Sequence, residues 1–452
     1  MQIHNEGEAI TRIFQSLRKL RGQPRGYDEQ TRDVGPTRRL LFEHKLLDQP
    51  REYAVVTGSK GKGSTTVITA KLLQHLGHRV GLITSPHLVS WRERIRVNGR
   101  CISEPDLCRI LSDLLPEIDA IEAGLHEHQY FSPQGIFLGI ALRWFDEQKV
   151  TAAVLEVGRG GRFDDIAVVP NHLSLFTPIM LEHPEYMGPT VERIAWHKAG
   201  IIKPYSYAYS VPQTPAVMEV LQREAEAVGA EFSWIAPKDM GEYRGATSNG
   251  QRIAMGRYGE VTLSLMGRYQ IENATLAVIG AGNMHGRLQG VSHGAPEYVQ
   301  RIRAGLADVV WPGRCQKMQD RPLVYVDGAI NAESAVLLVE SVREALRPPV
   351  VSIIGVPADK DYAGVYRGLA GVSEGMILTE TPRNPSLHWL TPDKALAAAR
   401  EHHQDVQYMG SLTEAVDQAK ARVGQDGTVL IIGTQSIVAE SMALWGQSFE
   451  VI

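Results

Sequence analysis

The chain has 452 residues, more than one typical core holds, so two domains are expected, with room for a third. Its formal net charge of -4 gives no diffuse basic surface, which argues against nucleic acid as a partner. No apolar run reaches the length of a bilayer span, and the charges scattered through the opening residues do not resemble an export signal, so a cytoplasmic protein without a membrane partner is expected.

The N-terminal residues predict a helix that covers one edge of the first domain. Ile10, Ile13, Phe14 and Leu17 recur at helical spacing before a stretch with glycine and proline at 21–30. Three cysteines occur in the whole chain, and no two of them form a C-x-x-C pair. A disulfide framework and a zinc cluster are therefore not expected.

Residues 53–84 predict a β-α-β unit, with a short buried strand, a glycine-rich turn, a helix ending near Gly77 and a second strand. Similar apolar strands follow along the chain: AAVLEVG, HLSLFTPIM, PLVYVDG, VVSIIGV, GMILTE and GTVLIIG. Helical segments separate most of them, which predicts a mostly parallel α/β sheet. Only the region 232–265 has β-like segments without helices between them, and it predicts a local antiparallel excursion.

A domain boundary is predicted near residue 310. Pro312, Gly313 and Pro322 interrupt a helical pattern there, and a new strand begins at Leu323. The predicted domains are 1–310 and 311–452.

The strongest local signal is the run Thr57-Gly58-Ser59-Lys60-Gly61-Lys62-Gly63-Ser64-Thr65, between a strand and a helix. Glycines let backbone N–H groups converge on phosphate oxygens, and the helix N-terminus adds its positive dipole end. Lys62 is expected to lie against the β and γ phosphates of ATP, and Ser64 or Thr65 to offer a hydroxyl to magnesium. The alternative is a flexible turn with a solvated lysine, because Gly63 separates lysine from serine and the spacing is not the commonest one.

This loop, followed by SPHLVSWRERIRVNG, resembles the folylpolyglutamate synthase and dihydrofolate synthase family of the Mur ligase superfamily. Further blocks follow in the family's order: LEVGRGGRFD, EHPEYMGPTVERIAWHKAGIIKP, LMGRYQIENATLAV, WPGR and VDGAINAESA. The resemblance implies an α/β fold: a P-loop Mur ligase-like ATPase domain with a mostly parallel sheet, and a smaller Rossmann-like C-terminal domain. The active site is then expected in the cleft between them.

The resemblance also implies an ATP-dependent, ADP-forming ligase that activates a small carboxylic acid as an acyl phosphate and couples it to an amino acid such as glutamate. An unactivated carboxylate is a poor acyl donor, so the γ-phosphoryl group of ATP must first be transferred to it. Two anions have to meet, and magnesium ions and a lysine lower that repulsion. A monomer or a small homo-oligomer is expected.

The resemblance assigns roles to particular residues, including ligands for two magnesium ions and a carbamate on Lys198. The nucleotide-binding residues it implies are Gly58, Ser59, Lys60, Gly61, Lys62, Gly63, Ser64, Thr65, Gln270, Asn273, Arg314 and Asp327. The implied metal ligands are Ser64, Glu156, His183 and Lys198, and the implied catalytic residues are Lys62, His183 and Lys198.

Local sequence alone leaves other interpretations open for these positions. Glu156 would serve equally as a cap for the glycine turn after its strand, His183 as a polar loop residue, and Lys198 as a solvated helical lysine. Arg314 and Asp327 would each serve as half of an ion pair that closes the two domains.

The expected specificity surface departs from the family pattern more than the catalytic residues do. Ile330 and Ala332 replace the histidine and proline of D-G-A-H-N-P, and Tyr269 stands in place of a histidine. The F-E-x-x-T stretch becomes FSPQG at 131–135, and D-A-T-N becomes DDIA at 164–167. Two alternatives therefore stay open: a ligase for a non-folate acid or a different amine, and a nucleotide-binding regulatory or scaffold protein without turnover.

Overall fold

The computed structural model describes residues 2–20, 22, 26–247, 250–290 and 295–452. Its largest sheet has the strand order β4-β3-β2-β5-β1-β6-β7-β8, and all neighbouring pairs are parallel except β2-β3 and β3-β4. The strands are β1 (Glu52–Thr57), β2 (Val80–Ile83), β3 (Ile95–Val97), β4 (Arg100–Cys101), β5 (Ala152–Glu156), β6 (Leu173–Phe176), β7 (Tyr207–Ser210) and β8 (Glu231–Trp234).

Helices precede, connect and follow these strands. They are α1 (Glu6–Ile13), α2 (Gln15–Arg18), α3 (Asp28–Thr31), α4 (Gly35–Glu43), α5 (Lys62–His75), α6 (Glu104–Ala123), α7 (Pro133–Glu147), α8 (Pro184–Met187), α9 (Val191–Ala199), α10 (Pro215–Ala227), α11 (Tyr269–Gln289) and α12 (Pro296–Ala307).

Two hydrophobic cores cover the two faces of this sheet. One holds residues of α4, α6, α7, α9 and α10, and the other holds residues of α5, α11 and α12. Because helices cover both faces, β1 and β5 are apolar almost throughout, as parallel strands usually are. Val56 and Glu156 are paired in the register of β1 and β5, so the carboxyl ends of these strands meet at one edge. That edge positions the phosphate loop beside Glu156.

A small antiparallel sheet covers the second of these cores, in the order β11-β10-β9. Its strands are β9 (Glu242–Thr247), β10 (Gly250–Ala254) and β11 (Glu260–Leu263). The predicted antiparallel excursion is confirmed for this part of the chain. The prediction was wrong for the segment before it, because β8 pairs parallel with β7 and extends the first sheet.

The third sheet has the order β12-β13-β17-β14-β15-β16, with only β12 antiparallel to its neighbour. Its strands are β12 (Gln316–Asp320), β13 (Leu323–Asp327), β14 (Val350–Gly355), β15 (Gly375–Thr379), β16 (Val406–Met409) and β17 (Thr428–Gly433). Its helices are α13 (Ala332–Val342), α14 (Tyr362–Ala370), α15 (Pro392–Arg400), α16 (Leu412–Val423) and α17 (Gln435–Leu444).

The predicted α/β architecture is confirmed, with differences in detail. The N-terminal helix is divided at Phe14, and the stretch at 21–30 is described only at 22 and 26–30. The predicted strand at Leu323 is present, and β12 before it was not predicted. The predicted boundary near 310 falls between α12 and β12 and stays a prediction. Within the described ranges, no helix combines the length and apolarity needed to cross a membrane.

A partly buried histidine pair joins α11 to the residues before β2 and makes the fold sensitive to acid. His78 Nε2 lies 2.8 Å from His285 Nδ1. Burial, together with His285, lowers the pKa of His78 from 6.5 to about 4. The folded protein therefore keeps His78 neutral at pH values where the unfolded chain already binds a proton, so stability is lost as the pH falls below 6.5.

We expect His78→Gln to reduce this loss, because glutamine retains a hydrogen-bonding group and does not titrate. Between pH 7 and pH 5, His78 is expected to account for about 2 kcal/mol of the fall in unfolding free energy. Urea unfolding of both proteins at the two pH values measures the difference. An equal fall in both proteins contradicts the assignment.

Candidate active site

The loop from β1 to α5 follows a path that only glycine permits at two positions. Gly58 has φ 149° and Gly61 has φ 84°, in the region that residues with a Cβ rarely adopt. A Cβ on Gly58 would lie 1.9 Å from Thr177 Oγ1, and one on Gly61 would lie 2.3 Å from Asn273 Oδ1. The loop thus packs closely against the residue that follows β6 on one side and against α11 on the other.

Two lysine side chains converge on this loop. Lys62 Nζ and Lys198 Nζ donate to the same acceptor, the carbonyl oxygen of Gly58, at 2.9 and 2.7 Å. Lys198 is almost fully buried and also donates to Glu182 Oε1 at 2.8 Å. Burial and the neighbouring Lys62 lower the pKa of Lys198 to about 8, although Glu182 opposes them. The local sequence alternative, a solvated helical lysine, does not describe Lys198.

Glu156 ends β5 beside this lysine pair. Its carboxylate is 3% exposed and accepts a hydrogen bond from the Ser85 backbone N–H at 2.8 Å. Burial raises the pKa of Glu156 to about 7, opposed by Lys62, by that N–H group, by Arg314 and by Arg94. Glu156 therefore places a buried carboxylate beside the phosphate loop, within the influence of several cations.

Side chains near the start of α5 and α11 are linked by hydrogen bonds. Thr65 Oγ1 donates to Asn273 Oδ1 at 3.3 Å, and Asn273 Nδ2 donates to Gln270 Oε1 at 2.9 Å. Gln270 Nε2 is buried and has no hydrogen-bond partner among the described residues. Because the Thr65 hydroxyl is directed to α11, Ser64 is the better placed of the two hydroxyl candidates for a metal.

The other loop residues lie on either side of this contact. The Ser59 backbone N–H donates to Pro178 O at 2.7 Å, and the side chain of Lys60 is exposed. Gly63 lies under the indole of Trp311, whose Cζ2 is 3.0 Å from the position of a Cβ. The residues before β12 thus reach the phosphate loop.

Arg314 and Asp327 bring the third sheet to the same site. Asp327 ends β13 and accepts the Cys315 backbone N–H at 2.7 Å. Burial raises the pKa of Asp327 to about 6, opposed first by Arg314. Arg314 also lowers the pKa of Glu156, so its guanidinium acts on carboxylates of both sheets. It forms no ion pair within 4.0 Å with any described residue, so the closing ion pair considered from sequence is not found there.

His183 directly follows Glu182, the acceptor of the Lys198 amine. It precedes α8 with φ 48°, its side chain is half exposed, and its ring nitrogen is 3.7 Å from a carboxylate oxygen of Glu185. In the described ranges, no three His, Cys, Asp or Glu side chains are grouped to hold a metal by themselves. The metal-ligand roles of Ser64, Glu156, His183 and Lys198 stay predictions, and bound nucleotide would have to complete each coordination shell.

Sequence reasoning missed two charged residues of the site. Glu182 contacts Lys198, but no local spacing predicts a contact between positions so far apart on different elements. The guanidinium of Arg94 lies 4.4 Å from the ring centroid of Trp91 and donates to His87 Nδ1 at 3.2 Å. The only available signal was their position inside two of the blocks that carry the family resemblance.

A phosphate loop with two converging lysines, faced by an arginine and an aspartate from a second α/β unit, defines an ATP-dependent ligase of the Mur class. Residues 56–281 match the Mur ligase middle domain, and residues 313–435 match the Mur ligase glutamate ligase domain. The chain belongs to the folylpolyglutamate synthase and dihydrofolate synthase family. It is thus an ATP-dependent, ADP-forming ligase that acts on small molecules.

Several relatives support this assignment. The dihydrofolate synthase/folylpolyglutamate synthase of Bacillus subtilis (strain 168) is 30% identical over 329 residues, 71% of this chain and 74% of the relative. The corresponding protein of Mycobacterium tuberculosis is 31% identical over 409 residues, 84% of this chain and 80% of the relative. The crystal structure of Mycobacterium tuberculosis folylpolyglutamate synthase complexed with ADP and AMPPCP has a TM-score of 0.79 at 26% identity, covering 97% of this chain and 99% of that one.

We expect Gly61→Ala to weaken nucleotide binding because its Cβ would displace either the loop or Asn273. The loss should be about ten- to hundredfold, since hydrogen bonds to charged groups contribute roughly 1.5–3 kcal/mol. Titration calorimetry with AMPPCP and Mg²⁺ measures it. Gly290→Ala is the matched control, with φ 63° and open space around it. An equal change in both variants, or in neither, contradicts the steric explanation.

Proposed function

We propose that the chain transfers the γ-phosphoryl group of ATP to a carboxylic acid and couples the resulting acyl phosphate to an amino acid, glutamate. The observation that carries the proposal is the convergence of Lys62 and Lys198 on Gly58, beside the buried carboxylate of Glu156. These two ammonium groups lie close together and are only partly neutralised by nearby carboxylates, so they favour binding of a polyphosphate. The names of the relatives support glutamate as the amine.

In the first step a carboxylate oxygen of the acid attacks the γ-phosphorus, and the bond to the β-phosphate oxygen breaks to release ADP. Lys62 lowers the repulsion between the two anions and stabilises charge on the transferring group. In the second step the amine attacks the acyl carbon, the bond to phosphate breaks, and the amine loses a proton. Arg314 and Asp327 would hold the phosphates and the ribose from the other side.

We propose two magnesium ions for this reaction, with Ser64 and Glu156 at one and His183 and Lys198 at the other. Magnesium, when bound, supplies positive charge that neutralises the phosphate oxygens. Ser64 and Glu156 fit this role because they offer hard oxygen atoms at the start of α5 and the end of β5. Lys198 fits only as a carbamate, because an ammonium group would repel a metal.

An ADP-release screen of carboxylic acids against amino acids, with mass spectrometry of the products, tests the ligase proposal. Release should require an acid, and Lys62→Ala should lower it at least about a hundredfold, the usual effect of removing a group that stabilises transition-state charge. Lys394→Ala is the matched control, an exposed lysine on α15 outside the phosphate loop. Nucleotide binding without acid-dependent ADP release would instead favour the regulatory or scaffold protein.

A second candidate is a ligase for a non-folate acid, and one buried network favours it. Asp165 is 1% exposed, accepts the Thr37 hydroxyl at 2.5 Å and lies 3.4 Å from Arg32 Nη2. Burial raises the pKa of Asp165, and Ser132, at the position of the glutamate in the family pattern, is among the groups that oppose this shift. A Cβ on Gly135 would lie 1.9 Å from Thr37 Oγ1.

Relative to the family pattern, this network has lost a carboxylate side chain at one position and gained one at another. The carboxylate absent at Ser132 is present instead at Asp165, where Arg32 and Thr37 interact with it. It is therefore withdrawn from any ligand that the family glutamate would have contacted. In the screen, ADP release with non-folate acids and not with dihydropteroate or reduced folates supports this candidate; efficient turnover of folates rejects it.

We expect Lys198→Ala to lose nearly all activity and to regain part of it when a short carboxylate is added, if the lysine acts as a carbamate. Lys203→Ala is the matched control because burial also lowers the pKa of Lys203 to about 8, while its amine donates to the carbonyl of Ala167. The control should keep most of its activity. Ordinary activity in Lys198→Ala rejects the role of this lysine. Absence of rescue, together with unchanged wild-type activity in CO₂-depleted buffer, rejects the carbamate.

A further inference from the structure

The segment that follows α17 leaves the third sheet and lies on the first. Cys101 N–H donates to Glu450 O at 2.9 Å, Ile452 N–H donates to Gly99 O at 3.1 Å, and Val451 forms an antiparallel bridge with Arg100. We call residues 449–452 the return segment. It extends the first sheet beyond β4, its edge strand in the sheet order.

The return segment is anchored by side chains as well as by backbone pairing. Ile452 is 4% exposed and packs in the core that α5 and α11 share. Lys71 Nζ, on α5, donates to Ile452 O at 3.2 Å. Arg92 Nη2 forms a 2.6 Å ion pair with Glu450 and also faces the ring of Phe449. These contacts join it to the unit that carries the phosphate loop.

Arg96 is the most deeply buried of these anchors. Its side chain is 1% exposed, and it has no carboxylate within ion-pairing distance among the described residues. Its Nη1 and Nη2 groups donate to backbone carbonyls: Phe449 at 2.8 Å, Gly99 at 3.0 Å and Glu450 at 3.3 Å. Burying a guanidinium is costly unless hydrogen bonds compensate. Two of its three acceptors belong to the return segment, so its burial is coupled to the position of that segment.

From these contacts we infer that Arg96 is a positioning residue for nucleotide binding. By holding the return segment, it attaches the unit of the third sheet to the first sheet in addition to the other contacts between them. Those contacts include the connection between α12 and β12, which carries Trp311 and Arg314, and the pairing of Tyr243 and Arg268 with Glu344. Together these attachments restrict the orientations of the third-sheet unit, and they keep Arg314 and Asp327 facing the phosphate loop.

The inference rests on the proposed contact of ATP with both units. If the return segment is released, fewer molecules hold the two units in the orientation that binds nucleotide. The apparent dissociation constant rises in inverse proportion to that fraction, so a fall to about a tenth weakens binding about tenfold. Loss of fold stability alone lowers the amount of binding-competent protein but leaves the dissociation constant of the folded fraction unchanged.

The test compares Arg96→Met and Ile452→Asp with the wild-type chain. The first removes the donors, and the second places a charge where the return segment enters the core. Small-angle scattering without nucleotide should show a larger radius of gyration for both variants. Calorimetry with AMPPCP and Mg²⁺ should show about tenfold weaker binding for each single variant. Because both substitutions release the same segment, the double variant should bind AMPPCP about as tightly as the single variant with the lower affinity.

Arg100→Met is the matched control, because its side chain is exposed on the adjacent strand and its backbone pairing is unaffected. It should behave as wild type in both measurements. Wild-type affinity in folded Arg96→Met and Ile452→Asp overturns the inference, as does weaker binding without a change in the radius of gyration. The scattering comparison needs no turnover, so failure of the ligase proposal in the ADP-release screen is recognised separately.

Discussion

Two lysine ammonium groups sharing one carbonyl oxygen are the interaction on which this site depends. Lys62 and Lys198 both donate to Gly58, and their mutual repulsion contributes to the lowered pKa of Lys198. Like charges so close together are costly in a buried setting. Glu182 and Glu156 offset part of that cost, and an incoming polyphosphate would offset the rest. The path that Gly58 and Gly61 permit is therefore the geometry that keeps the charges preorganised for an anion.

The fold, the phosphate loop and Glu156 were predictable because each has a local signal in the sequence. The phosphate loop reveals itself by glycines between a strand and a helix, and Glu156 ends a strand that parallel pairing places beside it. Glu182 was missed because its contact with Lys198 is made only in the folded chain. The strand β12 was missed because its residues are only partly buried and lack the apolar run that identified its neighbours.

Departures from the family pattern that are separate positions in the sequence form one group of neighbouring residues in the structure. Read along the chain, Ser132, Gly135 and Asp165 are separate losses and gains. In the fold they touch one another or share Thr37, so a side chain at one position decides what fits at the next. Packing at this density makes single reversions unfavourable. The whole network, rather than any one position, is therefore the unit in which this chain departs from the family pattern.

Arg314 makes the electrostatics of the phosphate site depend on how the first-sheet and third-sheet units are oriented. Its charge opposes the raised pKa of Glu156 in the first sheet and of Asp327 in the third. A charge shared in this way acts more weakly on one carboxylate as the units separate, because the Coulomb energy falls with distance. The electrostatics of the phosphate site thus depend on how the third-sheet unit is held. A change in the contacts that hold it, even far from the reacting atoms, changes the electrostatic environment of Glu156 without altering any residue of the loop.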